Sequence, residues 1–433
     1  MEKKKGNFLA IIVMILLFGM ISFVTNLASP MGDILKNQFD VANWMGTLGV
    51  LANFIAYAVM GIPAGNMLQK YGYKKTALAA VTVGFVGVGI QTISGTIDSN
   101  TAFGVYLLGA FIAGFSMCML NIVVNPMLNK LGGGGNKGNQ LVQVGGSFNS
   151  LMGTACIFLT GIFVPNIVEA KISQVFPLMF IALGIFALAF LVISLTDIPE
   201  NPAQKIETKE KSQYGPMSFR HFVLGAVAIF IYVGVEVGIP NVLQKWLQNP
   251  ELNVLNVTGV GAAEAIAGTV TATYWLLMLV GRLAGAALGA KVSAKTMLTV
   301  ASGVGFIFVV LAIFLNPSTV VGLPVFKGTE GFGIAQVPVN AALLVLCGLC
   351  TSVMWGGIFN LAVEGLGKYT ERASGIFMAL VCGGGILPFV QNLVVDLSGN
   401  YLVSYWVVAA GLAFLLFYAL VGSKNVNKDI PVE

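Results

Sequence analysis

The chain has 433 residues, of which 57% are hydrophobic and only 9% charged, with a net charge of +5. A soluble globular chain has about 25% charged residues, so this composition excludes a water-soluble domain and points to a polytopic membrane protein. The modest positive charge is a topology signal, as set out below, and needs no nucleic-acid partner.

Twelve apolar runs follow in order, at 8–35, 44–69, 74–94, 101–129, 138–164, 174–196, 218–246, 263–290, 294–316, 338–366, 371–397 and 400–422. Each is long enough to cross the hydrocarbon core as a helix. Because the runs are continuous rather than alternating, helices are predicted and not a barrel. The 53 glycines suit helices that pack through small residues. The first run follows Lys3, Lys4 and Lys5, as a signal peptide would, but it is longer than a typical h-region and continues into polar residues. It reads as a retained helix. With the N-terminus in the cytoplasm, all but five of the 23 Lys and Arg fall on cytoplasmic segments. The exceptions are Lys36, Lys171, Lys245 and Lys327 on the outside and Arg282 within a span. The positive-inside rule therefore predicts both termini in the cytoplasm of a cell (inner or plasma) membrane.

Polar residues inside spans are costly, so each is a functional candidate. The structural alternative is interhelical bonding, worth about 0.6 kcal/mol per contact. In chain order, the first helix carries Asn26, Pro30 and, about two turns beyond Asn26, Asp33. The fourth carries "CMLNIVVNPMLNKLGGGG", in which Asn121 is expected near the midplane by the 1.5 Å rise per residue. Asn125-Pro126 then reads as its bent cytoplasmic end and the glycines as a turn. The fifth carries Gln143 and Asn149, and the seventh carries Glu236. The tenth carries Trp355 and Asn360. Amides donate and accept, which suits sugar hydroxyls, and an indole face can stack on a pyranose. Glu236 has no cation nearby on its own helix, and depth counting sets Arg282 too far away to pair with it. Such a carboxyl can carry a proton or ligate Na⁺. Glu264, Glu364 and Asp396 lie near span ends, where hydration accounts for them, and His221 is expected at the interface.

The hydrophilic segment 197–217 follows six helices and separates two bundles, 1–196 and 218–433. The bundles share features in order. "GIPAG" (61–65) precedes Lys75-Thr76 by the distance at which "GRLAG" (281–285) precedes Lys295-Thr296. Asn26 lies four before Pro30 as Glu236 lies four before Pro240, and Gly114 matches Gly348. Two parallel six-helix repeats make an all-α membrane fold of the major facilitator type, with substrate between the halves near the midplane.

The five cysteines all lie in apolar spans, and Cys347 and Cys350 lack the second pair that a zinc site requires. No Walker sequence, nucleophile–base arrangement or cofactor fingerprint is present. The sequence predicts no enzyme and no cofactor, with energy drawn from an ion or solute gradient.

Several stretches resemble the fucose–galactose–glucose:H⁺ symporter family of the major facilitator superfamily. They are "GDILKNQF" (32–39), "GIPAGNMLQKYGYKK" (61–75), "NPMLNKLG" (125–132), "SFNS" (147–150), "IYVGVEV" (231–237), "YWLLMLVGR" (274–282) and "IFNLAVEGLGKYTERASG" (358–375). The resemblance implies that Asp33 takes part in substrate binding and coupling. It also exposes departures. Asn121 stands where fucose-type members carry a proton-titrating glutamate and glucose/galactose-type members carry glutamine. Gly146 stands where the family usually has glutamine, and Gln143 where it has asparagine. The superfamily loop after helix two is degenerate at Gln69-Lys70.

The expectation is a monomeric symporter that imports a monosaccharide such as glucose, galactose or fucose, with Na⁺ or H⁺ as coupling cation. Asn26, Asn121, Gln143, Asn149, Glu236, Trp355 and Asn360 form the sugar site, and Asp33 or Glu236 couples the ion. A proton-coupled exporter of apolar or cationic compounds is the alternative; the amide-rich spans argue against it.

Overall fold

The structure is a computed structural model. It describes residues 2–97, 99–132, 135–164, 166, 169–198, 214–257, 260–288, 292–327, 331–427 and 429–432. The segment read as a linker lies mostly outside these residues.

Among the described residues twelve helical stretches are long and apolar enough to cross a membrane. The first span lies in α1 (Glu2–Phe39). After the short α2 (Asn43–Gly46), α3 (Leu48–Ser94) holds the second and third spans. Gly72 separates these two, with φ 79° and ψ 179°, a backbone state open to glycine alone. Next come α4 (Thr101–Leu131), α5 (Gly135–Phe163), α6 (Phe176–Leu195), α7 (Arg220–Gln248), α8 (Val260–Leu288) and α9 (Ala294–Phe314). The tenth span is broken between α10 (Val339–Thr351) and α11 (Met354–Val363), and the eleventh between α12 (Thr370–Ala379) and α13 (Gly383–Ser398). The last is α14 (Tyr401–Phe417), continued to Gly422. Glycine 135, read as part of a turn, already belongs to α5.

α1 packs on α4 and α5, and α3 on α4 and α6; α7 packs on α11, α13 and α14, and α8 on α10. Contact between the two groups runs through α5 with α8 and through α3 with α12 and α13. Gly114 and Gly348, matched in the sequence, are equivalent in packing. A Cβ on Gly114 would fall on the Asn53 carbonyl of α3, and one on Gly348 on the Tyr274 carbonyl of α8. Both positions need a hydrogen so that backbones can touch.

One element has no counterpart in the hydropathy pattern. β1 (Val320–Phe326) and β2 (Phe332–Pro338) form an antiparallel hairpin with Val320 opposite Pro338. It leans on the ends of α5 and α8: Phe326 meets Phe158 edge-on at 6.1 Å, and Thr269 Oγ1 lies 3.4 Å from the Phe326 carbonyl. The hairpin is too short and too polar in its turn to register as a span.

Candidate functional site

A cavity of about 1230 Å³ lies between the two groups of helices. Asn26, Asn121, Gln143, Asn149, Glu236, Trp355 and Asn360 all line it, so residues singled out one by one on α1, α4, α5, α7 and α11 share one space. At one end the walls carry Lys70, Lys74, Lys75 and Lys130, and the cavity opens there.

The amides are held in a common way. Asn26 Nδ2 donates to the Ser22 carbonyl at 2.9 Å, Asn149 Nδ2 to the Phe18 carbonyl at 2.8 Å, and Asn121 Nδ2 to Tyr57 Oη at 3.0 Å and the Met117 carbonyl at 3.1 Å. Asn125 Nδ2 donates back to the Asn121 carbonyl at 3.0 Å. With their nitrogens committed to the protein, Asn26 and Asn149 are set to offer oxygens to a hydroxyl-bearing ligand. The aromatic wall is built on packed rings. Trp355 meets Tyr232 at 6.3 Å and Phe377 at 6.0 Å, and Phe54 stacks on Tyr57 at 5.7 Å. A tryptophan held by edge contacts keeps a face for stacking. Tyr57, Phe54 and Trp275 also line the cavity. The sequence did not single them out, because an aromatic ring in an apolar run carries no desolvation cost to flag it.

The expectation that Glu236 has no cationic partner is overturned. Arg282 Nη2 lies 3.4 Å from Glu236 Oε1, with both residues at least nine-tenths buried. Depth counted along the helix axis treats a side chain as a point, and the arginine is long enough to cross the difference. The same guanidinium donates from Nη1 to the Gly146 carbonyl at 2.6 Å. Arg282 thus links α8 to both α7 and α5. Gly146, one of the departures from the family pattern, leaves room for it: a Cβ there would stand a tight 3.2 Å from Nη1.

Asp33 does not line the cavity. It is buried at the opposite end from the lysine-lined mouth, 4.0 Å from Lys245 Nζ, with Gln248 hydrogen-bonded to it. Lys245, counted as an external residue, lies within α7 and is 4% exposed. Its Nζ donates to Asn392 Oδ1 at 3.0 Å, Thr47 Oγ1 at 3.2 Å and the Asn43 carbonyl at 3.4 Å. A count along the sequence cannot tell a loop from a last helical turn. Nearby, Asp396 accepts from Asn43 Nδ2 at 2.6 Å and from the Trp44 amide at 3.0 Å. These bonds join α1 and α2 to α7 and α13, so this end is shut by polar contacts while the other is open.

Of the other titratable residues, Asp396 and Glu364 are exposed, as expected at span ends. Glu264 is not: it is 4% exposed. His221, expected at the interface, is fully buried and donates from Nε2 to the Glu364 carbonyl at 2.9 Å. All five cysteines are buried and free.

A sequence profile described as the Major Facilitator Superfamily matches residues 9–387. The chain is 27% identical over 432 residues to a glucose/galactose transporter of Brucella abortus, covering 98% of this chain and 96% of the relative. It is 23% identical to the L-fucose-proton symporter of Escherichia coli, covering 98% and 97%. Among solved structures, that of the Major Facilitator Superfamily transporter FucP in the outward conformation superposes with a TM-score of 0.72 at 19% identity, covering 97% of this chain and 100% of that one.

Proposed function

We propose that this chain, which belongs to the Major Facilitator Superfamily, imports a monosaccharide together with a cation, Na⁺ or H⁺, by alternating access. The observation that carries the reading is the gathering of six amides, one carboxylate and two tryptophans around a single cavity between two helical groups. Such a lining offers directional bonds to several hydroxyls and a flat apolar face to a sugar ring. The relatives named as glucose/galactose and fucose–proton transporters support the substrate class.

The lysine-lined mouth is read as the cytoplasmic face, with both termini on that side. In this conformation the sugar site faces inward, and the Asp33–Lys245 and Asn43–Asp396 contacts close the outer face. Outward opening separates those partners. Asp33 and Glu236 are the two carboxylates whose ion pairs a coupling cation can exchange: a proton or Na⁺ on either weakens its hold on Lys245 or Arg282. Asn121 cannot titrate, so coupling does not pass through the fourth helix. The protein functions as a monomer.

The test is uptake into proteoliposomes of a labelled panel of hexoses and deoxyhexoses, with Na⁺ and pH gradients imposed separately. Accumulation driven by one of the two gradients is expected. Sugar accumulation indifferent to the collapse of both would refute symport. Efflux of cationic drugs without sugar uptake would assign the cavity to an exporter.

A further inference from the structure

We propose that the β1–β2 hairpin is a lipid-binding element, which lays its bare face among the headgroups and upper acyl chains of the leaflet away from the lysine-lined mouth. Successive residues of a strand point to opposite faces. The register puts Val325 with Gly333, Leu323 with Ala335 and Val321 with Val337 on one face. That face is packed against the protein, with Val325, Ala335 and Val337 buried. The other face carries Val320, Gly322, Pro324, Phe332, Ile334 and Gln336, and no charge. It is left bare: Phe332 is 78%, Ile334 62% and Val320 48% exposed. A group of large apolar side chains left uncovered marks a binding surface. A two-stranded hairpin is also marginal when water is all it meets.

The contacts of the hairpin give its depth. α5 starts next to the end of α4, where Lys130 marks the mouth, and ends at Phe163 at the far side of the bundle. Phe326 meets Phe158, five residues before that end, about 7.5 Å down the helix axis. Its backbone amide and carbonyl also meet Thr269 Oγ1, at 3.3 and 3.4 Å. Thr269 lies nine residues into α8, about 13 Å from the start of that helix. α8 has 29 residues, about 43 Å of helix against a hydrocarbon core of about 30 Å. The hairpin therefore lies beside the helices near the boundary of the acyl chains, not above them in water.

Its surroundings on that side are lipid-facing. Phe158, Ile162 and Phe163 of α5 are exposed, and in a membrane-spanning helix such residues meet lipid. Phe332 packs on Phe326 at 5.3 Å, and Phe326 on Phe158, so the bare face of the hairpin continues this apolar surface. The backbone sets the limit of insertion. A ribbon of two strands has two open edges, and the hydrocarbon interior does not accept their unpaired amides and carbonyls. The headgroup boundary accepts both parts, because water reaches the edges there while the side chains enter the acyl region.

The test needs neither sugar nor an ion gradient, so its outcome is independent of what the large cavity carries. The five native cysteines are buried, so a spin label is attached at Phe332→Cys, Ile334→Cys and, as an aqueous reference, Glu251→Cys in the full-length chain. The labelled protein is placed in phosphatidylcholine–phosphatidylglycerol vesicles. Collision with oxygen, which concentrates in lipid, is expected to exceed collision with a water-soluble nickel chelate at 332 and 334, and to fall below it at 251. An unlabelled check is Phe332→Trp, a conservative change. Its added fluorescence should be quenched more by lipid brominated high on the acyl chain than by lipid brominated near the chain end. Nickel collisions exceeding those of oxygen at 332 and 334, or no added quenching in Phe332→Trp, would overturn the proposal. So would exclusion of both relaxants together with spin–spin broadening that vanishes on dilution with unlabelled protein, since a second copy of the chain would then cover the face.

Discussion

Arg282 of α8 donates to the backbone carbonyl of Gly146 on α5, 2.6 Å away, and its second amino group reaches Glu236 on α7. One guanidinium therefore ties together three helices drawn from both ends of the chain. The contact is close-fitting at residue 146, where a Cβ would stand 3.2 Å from Nη1.

Gly146→Gln restores the residue usual in the resembling family and is expected to displace Arg282, because the Cβ alone already stands 3.2 Å from Nη1. A hydrogen bond from a charged donor is worth about 1.5–3 kcal/mol, so sugar uptake should fall by about tenfold or more. Gly146→Ala should cost less. Initial rates at matched expression measure both.

Asn121→Ala removes an amide that holds Tyr57 and lines the cavity. The expected result is a KM raised by about tenfold with normal membrane insertion, the loss of one or two bonds to a buried ligand. Asn121→Glu introduces a titratable group where the chain has none. Its uptake is expected to gain a pH dependence that the wild type lacks at this position. Wild-type kinetics in Asn121→Ala would assign the residue to packing.

Lys245→Met leaves Asp33 buried without its cation, a change that costs about 3–5 kcal/mol when one partner of a buried pair is removed. The outer face should open. Labelling of a Thr47→Cys background by a membrane-impermeant maleimide should therefore speed up, and Tm should drop. Asp33→Asn combined with Lys245→Met should recover part of the lost stability, because no unpaired charge then remains.

Trp355→Ala should raise KM for ring sugars, while Trp355→Phe should retain most of the affinity, since a stacking face survives. If both variants keep wild-type KM, the indole serves only its packing against Tyr232 and Phe377.

The periodic features were open to reading along the chain. Twelve apolar runs gave twelve spans, and a polar group in lipid marks itself because it is costly, which is why seven side chains chosen from the sequence line one cavity. Pairing was not open to reading in this way. Glu236 and Arg282 lie 46 residues apart and meet because α7 packs against α8. Lys245 looked like a loop lysine, with nothing in the sequence to pair it with Asp33, until the fold brought the two within 4.0 Å. Glu264 looked hydrated because sequence position gives distance from a span end and not what packs over that end.

Hydropathy, a property summed along the chain, determined by itself that this is a twelve-span membrane protein and which polar residues lie within its spans. The tertiary structure alone decided which end of the bundle is tied by polar contacts and which charges neutralise each other. Those depend on side chains from distant helices meeting across a few ångströms, a distance that no local pattern encodes.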